Sequence, residues 1–250
     1  MPASRRAALV TGASQDIGAA IATGLAREGF DVAVSSTRPE KLSDVLKGLK
    51  AAGARAVPVA LDVRSQASIE SAMAAAVGAF GRIDVLVNNA GVPLRKDAVA
   101  VTPQEWDHAI GINLTGAFFM SQQMGRHLVA SGRPGCIVNI SSSHGLIGAA
   151  QRSVYGIAKA GMIQLTRMLA IEWADRGIRV NAIAPGRVDT ASRAVTLAEP
   201  GYRDWAIGRV PLRRFGTAEE VAAAVCYLAS PAAAYITGQT LVMDGGLTAY

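Results

Sequence analysis

Seven short apolar runs punctuate the chain: AALVT (7–11), DVAVSS (31–36), ARAVPVALDV (54–63), IDVLVNN (83–89), GCIVNIS (135–141), IRVNAIAP (178–185) and QTLVMDGG (239–246). In several of them apolar residues fill consecutive positions instead of alternating with polar ones, as required of strands covered on both faces in a parallel sheet. Between the runs lie stretches of good helix formers with helical spacing, at 17–28, 39–52, 68–80, 103–129, 153–175 and 218–228. Regular alternation of strand and helix predicts right-handed βαβ crossovers and a doubly wound α/β sheet. No linker, repeat or low-complexity segment divides it, so one domain over 1–250 is expected. The one long irregular insertion, 187–217, is of the length that in a compact domain often serves as a lid or binding loop.

Composition narrows the class. Half of the 250 residues are hydrophobic and 18% are charged, the opposite of a disordered chain. The apolar stretches are broken by Gly, Pro or charge before they reach the ~18 residues that a membrane span needs. The N-terminus runs from two arginines straight into a strand-like segment without an apolar signal region, and a cytoplasmic protein without membrane contact is expected. Cys136 and Cys226 sit in apolar settings and read as buried thiols. His108, His127 and His144 lack metal-ligand spacing, so no metal is expected in catalysis. The formal charge of +6 raises nucleic acid as a partner, but no run of four basic residues occurs and only 5% of residues are aromatic, so none is expected. One local excess remains: Arg187, Arg193, Arg203, Arg209, Arg213 and Arg214 face only Asp189, Glu199 and Asp204.

In a doubly wound sheet, ligands bind outside the carboxyl ends of the strands. After the first run comes Thr11-Gly12-Ala13-Ser14-Gln15-Asp16-Ile17-Gly18, a tight turn opening into a helix. Gly12 suits a sharp turn, Gly18 close packing, and the helix N-terminus offers N–H groups and a positive dipole to a pyrophosphate. After later runs come Asp62 in LDVR, Asn88-Asn89-Ala90-Gly91, Asn113 in GINLTG, Ser142 in NISSSHG, Tyr155-Gly156-Ile157-Ala158-Lys159, and Pro185-Gly186 through Thr190. In this order and spacing, over essentially the whole chain, the set resembles the short-chain dehydrogenase/reductase family of the single-domain type. The resemblance implies a seven-stranded, mostly parallel Rossmann sheet with helices on both faces, and an NAD(P)(H)-dependent oxidoreductase that interconverts a secondary alcohol and a ketone.

The residues support that chemistry on their own terms. Tyr155 and Lys159 are four apart in a helical stretch and project from one face. Ionising a free tyrosine at neutral pH costs roughly 4 kcal/mol, and an adjacent ammonium reduces that cost. Ser142, thirteen residues earlier at a strand end, is placed to hydrogen-bond the reacting oxygen, with Ser141 and Ser143 as adjacent alternatives. The resemblance gives Tyr155 the proton transfer, Lys159 the ribose hydroxyls as well, and Asn113 a water in a relay behind the lysine. For the cofactor it implies Gly12, Ser14, Gln15, Ile17 and Gly18 at the phosphates, Asp62 and Val63 at the adenine, and Asn89, Ala90 and Gly91 at the adenosine ribose. Tyr155, Lys159, Pro185, Gly186, Val188 and Thr190 fall on the nicotinamide side. NAD-preferring relatives usually end the second strand with a carboxylate, whereas here it ends Ser36-Thr37-Arg38. A guanidinium suits a 2′-phosphate, so NADP(H) is expected over NAD(H).

One position departs from the family: Asp16 stands where glycine is normal. A carboxylate there favours the helix dipole and is expected to point away from the phosphates. The family's substrate positions fall here on His144, Arg152 and Arg187 beside Ser142 and Tyr155, with Gln151, Arg193, Tyr202 and Trp205 nearby. These residues are polar and basic, which favours a small hydroxylated or anionic substrate such as a sugar, sugar acid or oxo acid. The alternative is that the arginines form lid surface or subunit contacts. Within the family, Glu172-Trp173-Ala174 and the Asp244-Gly245-Gly246 ending resemble sugar and polyol dehydrogenases of the gluconate 5-dehydrogenase type. The 3-oxoacyl-carrier-protein reductases are the competing reading, and a non-catalytic dinucleotide-binding sensor or scaffold is the reading from another class. Family members of this length pair through two long helices, and a homotetramer is expected.

Overall fold

Along β1 (Ala7–Val10) all four side chains are buried, and they divide between two cores. Ala8 and Val10 join one core with Ile21, Leu25, Leu49 and Val225, while Ala7 and Leu9 join another with Ile69, Met73, Met120 and Met124. A strand alternates its side chains between the two faces, so an unbroken apolar run is what two covered faces demand. Each fully buried aliphatic side chain of this size contributes about 1.5–3 kcal/mol. The computed structural model describes residues 5–193 and 200–249.

The other strands are β2 (Asp31–Ser36), β3 (Ala56–Ala60), β4 (Val85–Asn88), β5 (Gly135–Ile140), β6 (Ile178–Pro185) and β7 (Thr240–Met243). They form one sheet in the order β3-β2-β1-β4-β5-β6-β7, with every pairing parallel. Leu9 lies opposite Ala33 on one side and Leu86 on the other, so the order reverses across β1 and β4 and opens a crevice at their carboxyl ends. Pro58, which cannot donate to a ladder, sits in the edge strand β3.

One face carries α1 (Asp16–Arg27), α2 (Ser43–Ala51) and α8 (Ala218–Ala229); the other carries α3 (Gln66–Phe80), α5 (Gly116–Ser131) and α6 (Ser153–Trp173). The expected helix over 39–52 starts with a tighter 3₁₀ turn, Pro39–Leu42, before α2. The expected helix over 103–129 is present and runs unbroken to Ser131, but it is not regular throughout. It divides into α4 (Pro103–Ile110), a π-turn (Gly111–Thr115) and α5. Within the 187–217 insertion, the described residues hold a 3₁₀ turn at Ala191–Arg193 and α7 (Tyr202–Gly208), and Val188 bridges Gly216. Its residues 194–199, Glu199 among them, lie outside the described residues.

Cys136 is buried with its thiol donating to the Leu228 carbonyl at 3.4 Å, and Cys226 is half-buried. Burial pushes both thiols up to about 11, so they are inert packing groups, as their settings predict. Among the described residues no helix is long and apolar enough to cross a membrane.

Candidate active site

The turn after β1 is built around Thr11. Its hydroxyl accepts the N–H groups of Asn89 at 3.0 Å and Ala90 at 2.9 Å, while the Asn89 side-chain amide donates back to the carbonyls of Thr11 and Gly12. Gly12 holds φ 63°, and a Cβ there would lie 2.8 Å from the Ala90 Cα. A Cβ on Gly18 would lie 2.6 Å from the Asn89 amide nitrogen, so backbone from β1, α1 and the end of β4 meets with no room for a methyl group. Gln15, the first flanking residue of α1, makes no side-chain cap. By contrast Ser65, Thr102 and Thr217 cap α3, α4 and α8. The leading N–H groups of α1 therefore lack a side-chain cap beside a glycine-lined recess, which fits a dinucleotide pyrophosphate. Ser14 and Ile17 are half-buried on this turn, and Gln15 is exposed.

At the end of β2, Thr37 and Arg38 are exposed and Ser36 accepts the Arg38 N–H at 3.1 Å. The Ala13 N–H donates to the Ser35 carbonyl at 2.9 Å, which brings this strand end beside the glycine turn. Arg38 has no ion pair among the described residues. Asp62 does have one. Its two oxygens accept from Arg64 Nε at 3.0 Å and Arg64 Nη2 at 2.6 Å, and the Arg64 hydrogen bond holds the carboxyl below its ordinary range. Val63 is buried against Gly116, where a Cβ would come within 2.6 Å of it. Arg64 and Thr11 shape the site although sequence alone gives them no role; each is adjacent to or inside a quoted motif.

The loop after β5 is pressed directly onto α6. A Cβ on Gly145 would lie 2.8 Å from the Lys159 carbonyl carbon, and one on Gly156 would lie 2.9 Å from the His144 carbonyl oxygen. These two glycines bring Ser142 and the Tyr155-Lys159 pair to one place, and nothing in their local sequence announces it. Ser142 is 7% exposed and its Oγ accepts the His144 N–H at 3.2 Å, which leaves its own proton to donate. Ser141 is committed elsewhere, donating to the Lys159 carbonyl at 2.8 Å. Of these two hydroxyls, Ser142 is the one that keeps a proton to donate among the described residues.

Lys159 is 3% exposed; its Nζ donates to the Ile140 carbonyl at 2.8 Å and lies 5.7 Å from the centre of the Tyr155 ring. Burial lowers its pKa to about 8, so at neutral pH the ammonium remains the major form. Asn113 is fully buried on the π-turn. It donates to the carbonyls of Val92 and Ala109, both at 2.9 Å, and accepts the Val92 N–H at 3.2 Å. Gly91 lies between Asn113 and Lys159: a Cβ on it would be 2.8 Å from Asn113 Oδ1 and 3.6 Å from Lys159 Nζ. The His144 ring stands edge-on to Tyr155 at 6.2 Å. Arg152 is half-buried at the start of α6. Gln151 adopts φ 62° and uses both ends of its side chain on the 92–97 segment, accepting from Arg95 Nε at 3.0 Å and donating to Asp97 at 3.1 Å. It is a strut of the cleft wall.

On the far side, the Gly186 N–H donates to the Met243 carbonyl at 2.9 Å, and Gly186 abuts Asp244 so closely that a Cβ would lie 2.6 Å from the aspartate Cβ. Pro185 closes β6, Val188 is buried, and the Thr190 hydroxyl pairs with Ser192 at 3.3 Å. The arginine excess is largely absorbed within the insertion. Arg187 donates to the Tyr202 hydroxyl at 3.1 Å and stacks 5.1 Å from the Trp205 ring, with Arg209 over the same indole at 5.6 Å. Arg203 pairs with Asp189 at 3.2 Å and Arg214 with Glu220 at 2.6 Å. Arg213 donates to the Gly208 carbonyl at 2.6 Å.

The chain is similar to known proteins over nearly its whole length. The family described as enoyl-(acyl carrier protein) reductase matches residues 12–248. The 3beta-hydroxysteroid dehydrogenase 1 of Eggerthella lenta is 38% identical over 97% of this chain and 93% of its own. The gluconate 5-dehydrogenase of Gluconobacter oxydans is 35% identical over 96% of this chain and 94% of its own. A solved structure from Agrobacterium tumefaciens, described as a 2-deoxy-D-gluconate 3-dehydrogenase with bound NADP, superposes with a TM-score of 0.90. It is 37% identical and covers 98% of this chain and 97% of that one.

Proposed function

Since the chain belongs to the short-chain dehydrogenase/reductase family and is an oxidoreductase, we propose that it interconverts a small polar secondary alcohol and its ketone with NADP(H) in preference to NAD(H). The observation that carries this reading is the buried Lys159 ammonium beside the Tyr155 ring, on a helix that also faces Ser142 across Gly145 and Gly156.

A bound nicotinamide supplies or accepts the hydride. The Tyr155 phenol gives its proton to the substrate oxygen in reduction and takes it in oxidation. Lys159 favours the phenolate that remains, since a neighbouring cation lowers the cost of that charge. The Ser142 hydroxyl, whose proton is unspent, donates to the same oxygen and stabilises the charge developing there. Asn113, held by three hydrogen bonds to Val92 and Ala109, keeps the wall behind Lys159 rigid. The uncapped start of α1 and the glycine recess would hold the pyrophosphate. Ser36, Thr37 and Arg38 would hold a 2′-phosphate, and the exposed Arg38, without an ion pair among the described residues, supports NADP(H).

Substrate selection falls to His144 and Arg152 beside Tyr155. Arg187 contributes indirectly, because Tyr202 and Trp205 hold its guanidinium. The pairing of Arg203 with Asp189 and of Arg214 with Glu220 leaves little free positive charge there and favours a polar neutral substrate, such as a sugar or polyol, over one with several negative charges. The description of the matched family supports an acyl-carrier-protein thioester as the second reading. A homotetramer is supported by the exposed Ile157, Met168 and Ile171 on α6 and by Leu241 and Val242 on the edge strand β7.

The deciding experiment follows nicotinamide absorbance with polyols, sugar acids, diketones, hydroxysteroids and a 3-oxoacyl thioester, with NADP(H) and NAD(H), for the protein and its Tyr155→Phe variant. Turnover of a polar alcohol that disappears in Tyr155→Phe is the expected result. Turnover confined to the steroids or the thioester would overturn the substrate class.

A further inference from the structure

Asp16 departs from the family at the dinucleotide turn, and its surroundings give that departure a purpose. The residue holds φ 52°, a left-handed conformation that glycine adopts freely and that aspartate tolerates better than most side chains. Its Oδ1 accepts the backbone N–H of Ala191 at 3.0 Å, across 175 positions of sequence, and its Oδ2 accepts from the Gln15 side chain at 3.4 Å. Ala191 directly follows Thr190 on the segment leaving β6. The bond therefore joins the two walls of the cleft, the turn that would hold the pyrophosphate and the strand exit that would hold the nicotinamide side. A glycine at this position has no atom with which to make it.

We propose that Asp16 is a positioning residue that braces the β6 exit segment, around Asp189, Thr190 and Ala191, against the glycine turn, so that dinucleotide binds to a preset cleft. The carboxylate is satisfied by an N–H instead of being aimed at the phosphates, and a hydrogen bond to an ionised acceptor is the stronger kind. Holding the wall before the ligand arrives lowers the ordering cost of binding. The proposal rests on the dinucleotide-dependent reading, and its test includes a measurement that needs no ligand.

Hydrogen–deuterium exchange of the ligand-free protein is followed over residues 187–193, beside the fluorescence titration of NADPH and NADH, for wild type and for Asp16→Ala, Asp16→Gly and Asp16→Asn. Loss of the brace in Asp16→Ala and Asp16→Gly is expected to speed exchange at the Ala191 amide about tenfold and to weaken dinucleotide binding about tenfold, the scale of one charge-assisted hydrogen bond. Asp16→Asn keeps an acceptor oxygen and is expected to restore most of both. The glycine variant also relieves the backbone and so guards against an alanine variant that fails to fold. Unchanged exchange, tighter binding in Asp16→Gly, or an asparagine variant as impaired as alanine would overturn the brace. If wild type binds neither dinucleotide, the oxidoreductase reading fails, while the exchange measurement still decides whether Asp16 holds Ala191.

Discussion

The hydroxyl of Ser141 donates to the carbonyl oxygen of Lys159 at 2.8 Å, so two neighbouring serines have opposite duties. Ser141→Ala leaves a buried carbonyl short of one donor and is expected to cost about 1 kcal/mol of stability while turnover falls by less than about tenfold. Ser142→Ala is expected to lower kcat/KM by about a hundredfold or more with little change in the thermal midpoint. Denaturant titration and steady-state kinetics on the two variants separate these outcomes, and reversed roles would refute the assignment.

Gly91→Ala is a stringent test of the space between Asn113 and Lys159. Its methyl group would lie 2.8 Å from the oxygen of an amide group that three hydrogen bonds hold in place, so the neighbour cannot yield cheaply. Overpacking of this kind costs about 1–3 kcal/mol, and the strain falls on Lys159, to which the proposed function gives a role, and on Asn113 behind it. Loss of most turnover in a protein that still melts cooperatively is expected. Normal kinetics would mean that Asn113 is freer than its contacts imply.

Lys159 makes the stability of the ligand-free protein depend on pH. Its pKa is about 8 when folded, against about 10.4 for an unperturbed lysine. Below the folded value both states hold the proton, and the full cost of burying a charge is present. As pH rises through about 8 the folded state releases its proton while the unfolded chain keeps it, so stability rises until the unfolded lysine also titrates. Between about pH 7 and about pH 9 the wild type is expected to gain about 1 kcal/mol relative to Lys159→Met. That comparison cancels the two raised thiols, Cys136 and Cys226, which act in the opposite direction at higher pH. Parallel urea curves with no such difference would show that the ammonium is not buried as described.

Arg38 sets the cofactor preference if the end of β2 meets the adenosine ribose. Arg38→Asp replaces a phosphate donor by a group that accepts a ribose hydroxyl and repels phosphate. The ratio of kcat/KM for NADPH to that for NADH is expected to fall by about a hundredfold, the scale of removing one charge-assisted hydrogen bond and adding one repulsion. An unchanged ratio would move the selection to another part of the turn.

Much of this is readable from the residues alone, for identifiable reasons. The doubly wound sheet follows from runs such as the one at 83–89, because a strand covered on both faces has no polar face to hide. Helical spacing places Tyr155 and Lys159 on one face, whereas the roles proposed for them and for Ser142 come from the family resemblance. Gly145 and Gly156 do not announce themselves, since their lack of a side chain matters only where one element lands on another. Gln151 is legible as a substrate-side position from its place before Tyr155, whereas its positive φ and its two side-chain hydrogen bonds to Arg95 and Asp97 are not. Arg187 is legible as an unusual charge, whereas Tyr202 and Trp205, which hold it, are brought to it by the path of the chain.

The π-turn at Gly111–Thr115 gives the protein a dependence on phase. A helix rotates by about 100° per residue, so the extra residue in this turn sets how α5 is clocked relative to α4. Deleting Leu114 would straighten the two into one regular helix with more uniform backbone bonding. It would also swing Gly116 away from Val63 and Met120 away from its core, and remove the side chain that packs against Gly161 of α6. A locally better helix would thus yield a worse enzyme, and the irregular turn acts as the angular setting of the whole face.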